Sequence, residues 1–415
     1  MGVIQYILGL GVSVMMPIII FILCMIFRVK LSKAITSSLM VGIAFVAINM
    51  VIGFLMGKLG PVVSTFVQRT GLSLTVLDVG WPTAASVTWS SPIAAFFIPI
   101  GVLVNAVLLF TSLTKTINVD IWNYWVFGLS GALVTFITGS FLLGIAAFVI
   151  TEVIILLIAD RTAKTVQEFF EIPRVSIPHG NAAPFALLAY PLEYIFSRIP
   201  GFKDLKADSE AIRKKFGLLG EPMILGLIIG IALSLIAGYD IKGILDTGIS
   251  VAAVMIVLPR MTKILMEGLM PLSDAAGDFM KKHFPGKEFY IGLDSAILSG
   301  APEVMATGLV LIPISVLLAF IVPGNKVIPV ADIVGLPFIV SLTVPIYKGN
   351  IVRSIVGGTV ICFICLLIGT NLAPVFTDAA SSYGLKMPEG ATQIISYLGG
   401  TSPITWILAK IAELL

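Results

Sequence analysis

The sequence predicts an all-α, polytopic membrane protein of about 10–11 transmembrane helices plus re-entrant hairpins, built as two inverted repeats. Three observations carry that expectation. Of 415 residues, 58% are hydrophobic and 12% are charged, whereas a soluble domain carries about 25% charged residues because its surface faces water. Mean hydropathy is +1.06, and several apolar runs approach the ~20 residues that a spanning helix needs. Finally, short matches recur in the same order in both halves. Leu55-Met56-Gly57-Lys58-Leu59-Gly60-Pro61 returns as Leu265-Met266-Glu267-Gly268-Leu269-Met270-Pro271, and Leu77-Asp78 as Leu293-Asp294. Ile98-Pro99-Ile100 returns as Ile312-Pro313-Ile314, Asp120-Ile121 as Asp332-Ile333, and Pro178-His179-Gly180 as Pro388-Glu389-Gly390. A collinear series with a nearly constant offset marks a duplication, which in a membrane protein points to a transporter.

The elements follow in order. Residues 3–27 read as the first span; no Lys or Arg precedes them, so a retained helix is expected rather than a cleavable signal peptide. Arg28, Lys30 and Lys33 form a basic turn that the positive-inside rule places in the cytoplasm, with the N-terminus outside. Runs 35–57, 92–113 and 137–158 are further spans, while 121–136 and 178–197 are shorter or broken. The first repeat is thus 1–200, a hydrophilic linker covers 201–218, and the second repeat is 219–415. In the second repeat 222–238, 298–322 and 351–370 are full-length runs, and 245–258, 329–346 and 391–412 are broken ones. The turn 238–243, the counterpart of the basic one, carries Asp240 and Lys242, one charge of each sign. That asymmetry favours opposite orientations for the two repeats. No alternation of polar and apolar residues suggests an outer-membrane barrel.

Polar residues at membrane depth are costly and mark solute paths. They gather here beside Gly and Pro. One cluster runs Leu77-Asp78-Val79-Gly80-Trp81-Pro82-Thr83, and its partner runs Gly292-Leu293-Asp294-Ser295 to Ala301-Pro302-Glu303. Broken backbone of this kind is tolerated in a membrane only where it lines protein or a wet cavity. The plainer reading makes Asp78 and Asp294 helix N-caps; both readings stand. Ser176-Ile177-Pro178-His179-Gly180-Asn181 and Met387-Pro388-Glu389-Gly390 form a second pair, with His179 and Glu389 expected around one polar cavity. In Asp120-Ile121-Trp122-Asn123-Tyr124-Trp125, amide and carboxylate groups beside indoles suit a polyol, although Trp122 and Trp125 equally suit an interfacial aromatic belt.

Absences narrow the function. No Gly-rich phosphate loop ending in Gly-Lys-Ser/Thr is present, so the chain is not expected to hydrolyse ATP. No H-E-x-x-H or G-x-S-x-G pattern supplies a hydrolase centre. Cys24, Cys362 and Cys365 lie in apolar runs, which points to buried packing rather than a metal site. The net charge of +3 is spread over loops and predicts no nucleic-acid partner. No cofactor is expected.

Four motifs then carry a resemblance: Leu77-Asp78-x-Gly80-Trp81-Pro82, Asp120-Ile121-Trp122-Asn123-Tyr124, Ile177-Pro178-His179-Gly180-Asn181, and Gly292-Leu293-Asp294 leading to Gly300-Ala301-Pro302-Glu303. Over essentially its whole length the chain resembles the membrane-embedded IIC component of the bacterial phosphotransferase system, in the ascorbate–galactitol superfamily, and is most similar to its galactitol-type members. That resemblance implies a homodimer in the cell membrane, with scaffold and transport domains each built from parts of both repeats and an elevator-like motion between them. It implies a sugar or sugar-alcohol substrate, phosphorylated on entry by a separate IIB protein that acts together with IIA. The phosphoryl-donor cysteine would sit on IIB, so the chain is a transporter rather than an enzyme by itself. Candidate substrate-binding residues are Asp78, Trp81, Asn123, His179, Asn181, Asp294, Glu303 and Glu389. The rival is an ion-coupled secondary transporter of a small polar solute, with Asp78, Asp294 or Glu303 carrying a proton or sodium.

Overall fold

The computed structural model describes residues 12–70, 74–120, 124–203, 207, 214, 218, 221–283, 288–388 and 391–415. Its first layer is four helices: α1 (Val12–Ile26), α2 (Leu31–Thr70), α8 (Pro222–Ala237) and α9 (Ile241–His283). They pack against one another, α9 lying along both α2 and α8. The Lys58 Nζ–Asp246 Oδ2 ion pair at 2.6 Å and a hydrogen bond from the Ser37 hydroxyl to the Gly268 carbonyl link α2 to α9.

The other described elements form a body. In the first half it contains β1 (Val76–Asp78), α3 (Trp81–Ser90), α4 (Ala94–Phe110), β2 (Thr116–Asn118), α5 (Tyr124–Thr138), α6 (Phe141–Phe170), β3 (Val175–Ser176) and α7 (Ala183–Phe196). From the second half come β4 (Tyr290–Gly292), a 3-10 turn at Ser295–Gly300, α10 (Pro302–Ile321) and β5 (Val327–Ile328). These are followed by a 3-10 turn at Ile333–Gly335, α11 (Leu336–Val340), α12 (Thr343–Ile346), α13 (Ile351–Ser382), β6 (Gln393–Ile395) and α14 (Pro403–Ala412).

The chain is a multi-pass membrane protein. Among the described residues five helices are long and apolar enough to cross a membrane: the bulk of α2, α6, the first three-quarters of α9, α10 and α13. The pair α3–α4 passes the same test only when taken together and is bent by 95° at its break, the form of a broken span or a re-entrant loop. Five further apolar helices of 10–17 residues fall short of a full span. The expectation of ten or eleven crossings therefore exceeds what helix length alone supports: the runs at 178–197 and 391–412 are interrupted by turns containing Gly and Pro, and the helix described within the run at 121–136, α5, has only 15 residues. Conversely the short run 245–258 lies inside one 43-residue helix, α9, which continues through Pro259 and Pro271.

Strand pairing is the feature the apolar runs did not announce. Two three-stranded parallel sheets have the orders β5-β1-β6 and β2-β4-β3. Leu77 stands between Ile328 and Ile394, and Ile291 between Ile117 and Val175. In each sheet the central strand comes from one half of the chain and both outer strands from the other. Val76, Val327 and Ile395 are wholly buried, as expected of parallel strands covered on both faces.

Candidate functional site

All six strands are short, and the segments leaving five of them converge on one cavity. It has a volume of about 190 Å³. Trp81 follows β1, His179 and Asn181 follow β3, Asp294 and Ala296 follow β4, Asp332 and Val334 follow β5, and Leu398 and Gly399 follow β6. The facing wall is α2 of the outer layer, through Asn49, Ile52 and Met56, so the cavity lies on the seam between layer and body. Trp125 of α5 and Phe338 of α11 complete the wall. The indoles of Trp81 and Trp125 stack, with ring centroids 6.2 Å apart and planes inclined at 28°.

Within the cavity, His179 Nε2 lies 3.8 Å from Asp294 Oδ1, a separation too long for a hydrogen bond. Asp294 Oδ1 also accepts from the Ala296 N–H at 2.8 Å and so caps the 3-10 turn. Asp294 thus lines the cavity and caps, joining the two readings its sequence left open. His179 and Asn181 are 8% and 5% exposed. Among the described residues, His179 Nδ1 and Asn181 Oδ1 have no hydrogen-bond partner within the protein. Buried polar atoms in that state are rare, since leaving one unmet costs about 1–3 kcal/mol.

Asp78 stands behind the wall. Its Oδ1 accepts from the N–H of Gly80 (3.1 Å) and Tyr397 (2.9 Å), and its Oδ2 from Val330 (3.1 Å) and Asp332 (2.8 Å). The turn that brings its own Gly80 N–H back needs φ = 78° there, which glycine takes without strain. Asp332 repeats the device: Oδ1 accepts from Trp81 N–H at 2.6 Å, and Oδ2 from the Ser396 hydroxyl (2.5 Å) and the N–H groups of Leu398 (3.1 Å) and Gly399 (3.3 Å). Together the two carboxylates clasp the turns after β1, β5 and β6. Asp78 is 3% exposed and absent from the cavity lining, so its geometry is that of a clasp rather than of a solute ligand. At the start of β4, outside the spanning helices, Lys115 hydrogen-bonds Glu288 at 2.9 Å and holds its carboxyl below the ordinary range.

Of the eight candidates, Trp81, His179, Asn181 and Asp294 meet at the cavity. Glu303 lies in the first turn of α10, beside the Lys348-Gly349 turn and off the cavity wall; a carboxylate there suits the helix N-terminus. Asn123 and Glu389 lie outside the described residues. The Pro388 correspondence also shifts. By strand order β6 holds the place that β3 holds in the other sheet, so the counterpart of His179-Gly180-Asn181 is Leu398-Gly399-Gly400, ahead of Pro403 as the former is ahead of Pro184. Missed altogether was Asn49, a lone amide in an apolar run. Asp332 was visible only as a repeat of Asp120.

Comparison with known proteins fits this geometry. The sequence pattern of the family described as the PTS system sugar-specific permease component (EIIC-GAT) matches residues 6–390. The galactitol-specific EIIC component of the PTS system from Escherichia coli (strain K12) is 38% identical over 409 residues, covering 99% of this chain and 90% of that protein. A putative permease IIC component from the same strain is 39% identical over 410 residues, covering 99% and 94%. With a broken, strand-clasped cavity in a multi-pass membrane protein and matches along nearly its whole length, the chain belongs to the sugar-specific permease (EIIC-GAT) family of the phosphotransferase system.

Proposed function

We propose that the protein carries galactitol or a closely related sugar alcohol, bound in the seam cavity and handed to a IIB protein for phosphorylation. The observation that carries this reading is the cavity wall itself. Stacked indoles offer a face for C–H edges, and beside them the polar side chains of His179, Asn181 and Asp294 line the cavity. A chain of hydroxyls matches that pattern, each donating one hydrogen bond and accepting others. A hydroxyl placed between His179 and Asp294 would bridge their 3.8 Å gap. The volume of about 190 Å³ corresponds to on the order of six waters at about 30 Å³ each, the scale of a small polar solute.

The two halves are taken as inverted repeats, a reading supported by the interchange of central and outer strands between the sheets. The four-helix layer of α1, α2, α8 and α9 is the static scaffold and carries the homodimer contact. The body, holding all strands, slides along α2 in an elevator-like motion. Phosphoryl transfer needs an in-line donor, which is assigned to a cysteine on IIB, charged in turn by IIA.

Two experiments test this. Vesicles containing the protein without IIB should equilibrate labelled galactitol but not concentrate it under a proton or sodium gradient. With phosphorylated IIB, the label should appear inside as galactitol phosphate. Uphill uptake driven by an ion gradient alone would overturn the reading in favour of an ion-coupled carrier. In binding assays, Asp294→Asn should weaken galactitol by about 1–3 kcal/mol, the scale of a charge-assisted hydrogen bond. Asparagine is as good an N-cap as aspartate, so the melting temperature should hold. Unchanged affinity would confine Asp294 to its cap.

A further inference from the structure

Glu152 is used by nothing described so far. It sits in the middle of α6, a 30-residue helix of high hydropathy that spans the membrane. Its residue exposure is 0%, and among the described residues neither carboxyl oxygen has a hydrogen-bond partner. One turn earlier on the same helix, Phe148 packs against Phe97, Phe127 and Tyr124. The Tyr124 hydroxyl is likewise buried and, among the described residues, without a hydrogen-bond partner. It lies within electrostatic reach of both Glu152 and Asp120.

Other charged groups on neighbouring elements are engaged elsewhere. Two turns along α6, Asp160 accepts from Thr114, Lys115 and Thr116. Neither α4 nor α12 carries a titratable residue. On α7, Glu193 is held by Arg353, while Tyr190 lies against Arg161. Lys410 of α14 pairs with Glu413. No described cation is therefore placed to neutralise Glu152. An ionised carboxylate in such a place would carry an uncompensated desolvation cost, which the neutral acid avoids.

We propose that Glu152 is a proton-binding site, paired with the Tyr124 hydroxyl and linked through α5 to the cavity wall. The ligand is a proton from water. Its uptake forms one O–H bond on the carboxylate, whose acid form can donate to or accept from the phenol. The link is structural. Tyr124 directly precedes Trp125, whose indole stacks on Trp81 in the cavity. Gly101 of α4 closes on the Tyr124 ring so tightly that an added Cβ there would collide with it. The phenol is thus gripped between α4 and Phe148, so a hydrogen bond formed between it and the acid form of Glu152 would have to be accommodated by α5, including Trp125.

Infrared and fluorescence spectroscopy of the full-length protein in lipid vesicles test this without depending on which solute is carried. At neutral pH the wild type should show the carbonyl stretch of an un-ionised, buried carboxylic acid. Glu152→Gln should remove that band, and Tyr124→Phe should shift it. Raising the pH should deprotonate the site and change the Trp125 emission. That step should be missing from the titration of Glu152→Gln, and Trp125→Phe should lose the signal. The absence of an acid band that Glu152→Gln removes would overturn the proton site. A titration step surviving in Glu152→Gln would overturn the link to the cavity. If Glu152→Gln does not fold, Tyr124→Phe decides alone: an unshifted acid band together with an unchanged titration would overturn the pairing.

Discussion

Replacing Asp78 by asparagine should cost the fold about 3–5 kcal/mol, among the largest effects of any single change in the chain. The wild-type carboxylate accepts four backbone N–H groups, two on each oxygen. An amide has only one acceptor oxygen, and its NH₂ group would face two of those donors head-on. The N–H groups of Asp332 and Tyr397 belong to buried residues and have no other route to water, while that of Val330 is half-buried. Thermal unfolding of the purified variant in detergent should show the loss. The remaining folded fraction should bind galactitol more tightly than Asp294→Asn does. The reverse pattern, a wild-type melting temperature with binding weakened tenfold, would make Asp78 a solute ligand.

A comparable loss is expected at Arg353. It lies in the first turn of α13, 7% exposed, and donates to Glu193 Oε1 at 2.6 Å and to the carbonyls of Phe202 (2.5 Å) and Lys203 (3.1 Å). Beside it the Ile351 N–H donates to the Ala207 carbonyl at 2.8 Å. One guanidinium therefore ties the end of α7 and the start of the inter-repeat linker to the second half. Arg353→Met strands a buried carboxylate and two carbonyls, at about 3–5 kcal/mol. Adding Glu193→Leu should recover part of that stability, since removing both charges is cheaper than removing one. A double variant less stable than Arg353→Met would mean that Glu193 has a second, unrecognised partner.

How legible these features were depends on the range of the interactions that make them. The bilayer environment is written in composition, and the breaks at 77–83 and 292–303 in Gly, Pro and Ser, so both were readable locally. Trp81, His179, Asn181 and Asp294 were found because each sits in such a break. The role of Asp78 was not readable, since three of its four donors lie more than 250 residues away. Local identity misled at Pro388: a shared Pro-x-Gly triplet outweighed the alignment of Gly180 and Pro184 with Gly399 and Pro403, which only strand pairing exposes. Asn49 and Glu152 were overlooked for one reason. A single polar residue in a long apolar helix carries no pattern, and its meaning comes from what other helices place opposite it.

The exchange of strands between halves sets a clock on biosynthesis. Asp78 meets the Tyr397 N–H only after 319 further residues have been made. At roughly 5–20 residues per second, β1 leaves the ribosome about fifteen seconds to a minute before both its neighbours exist. For that interval a buried carboxylate and two strand edges stand open in a nascent membrane protein, where unmet backbone groups are costly. The first half cannot mature alone, because its β2 and β3 wait in turn for β4, and the second half needs those strands of the first to flank β4. Co-expressed halves should therefore accumulate only together, and a ribosome stalled after α7 should hold a chain that quality-control proteases recognise as unfinished.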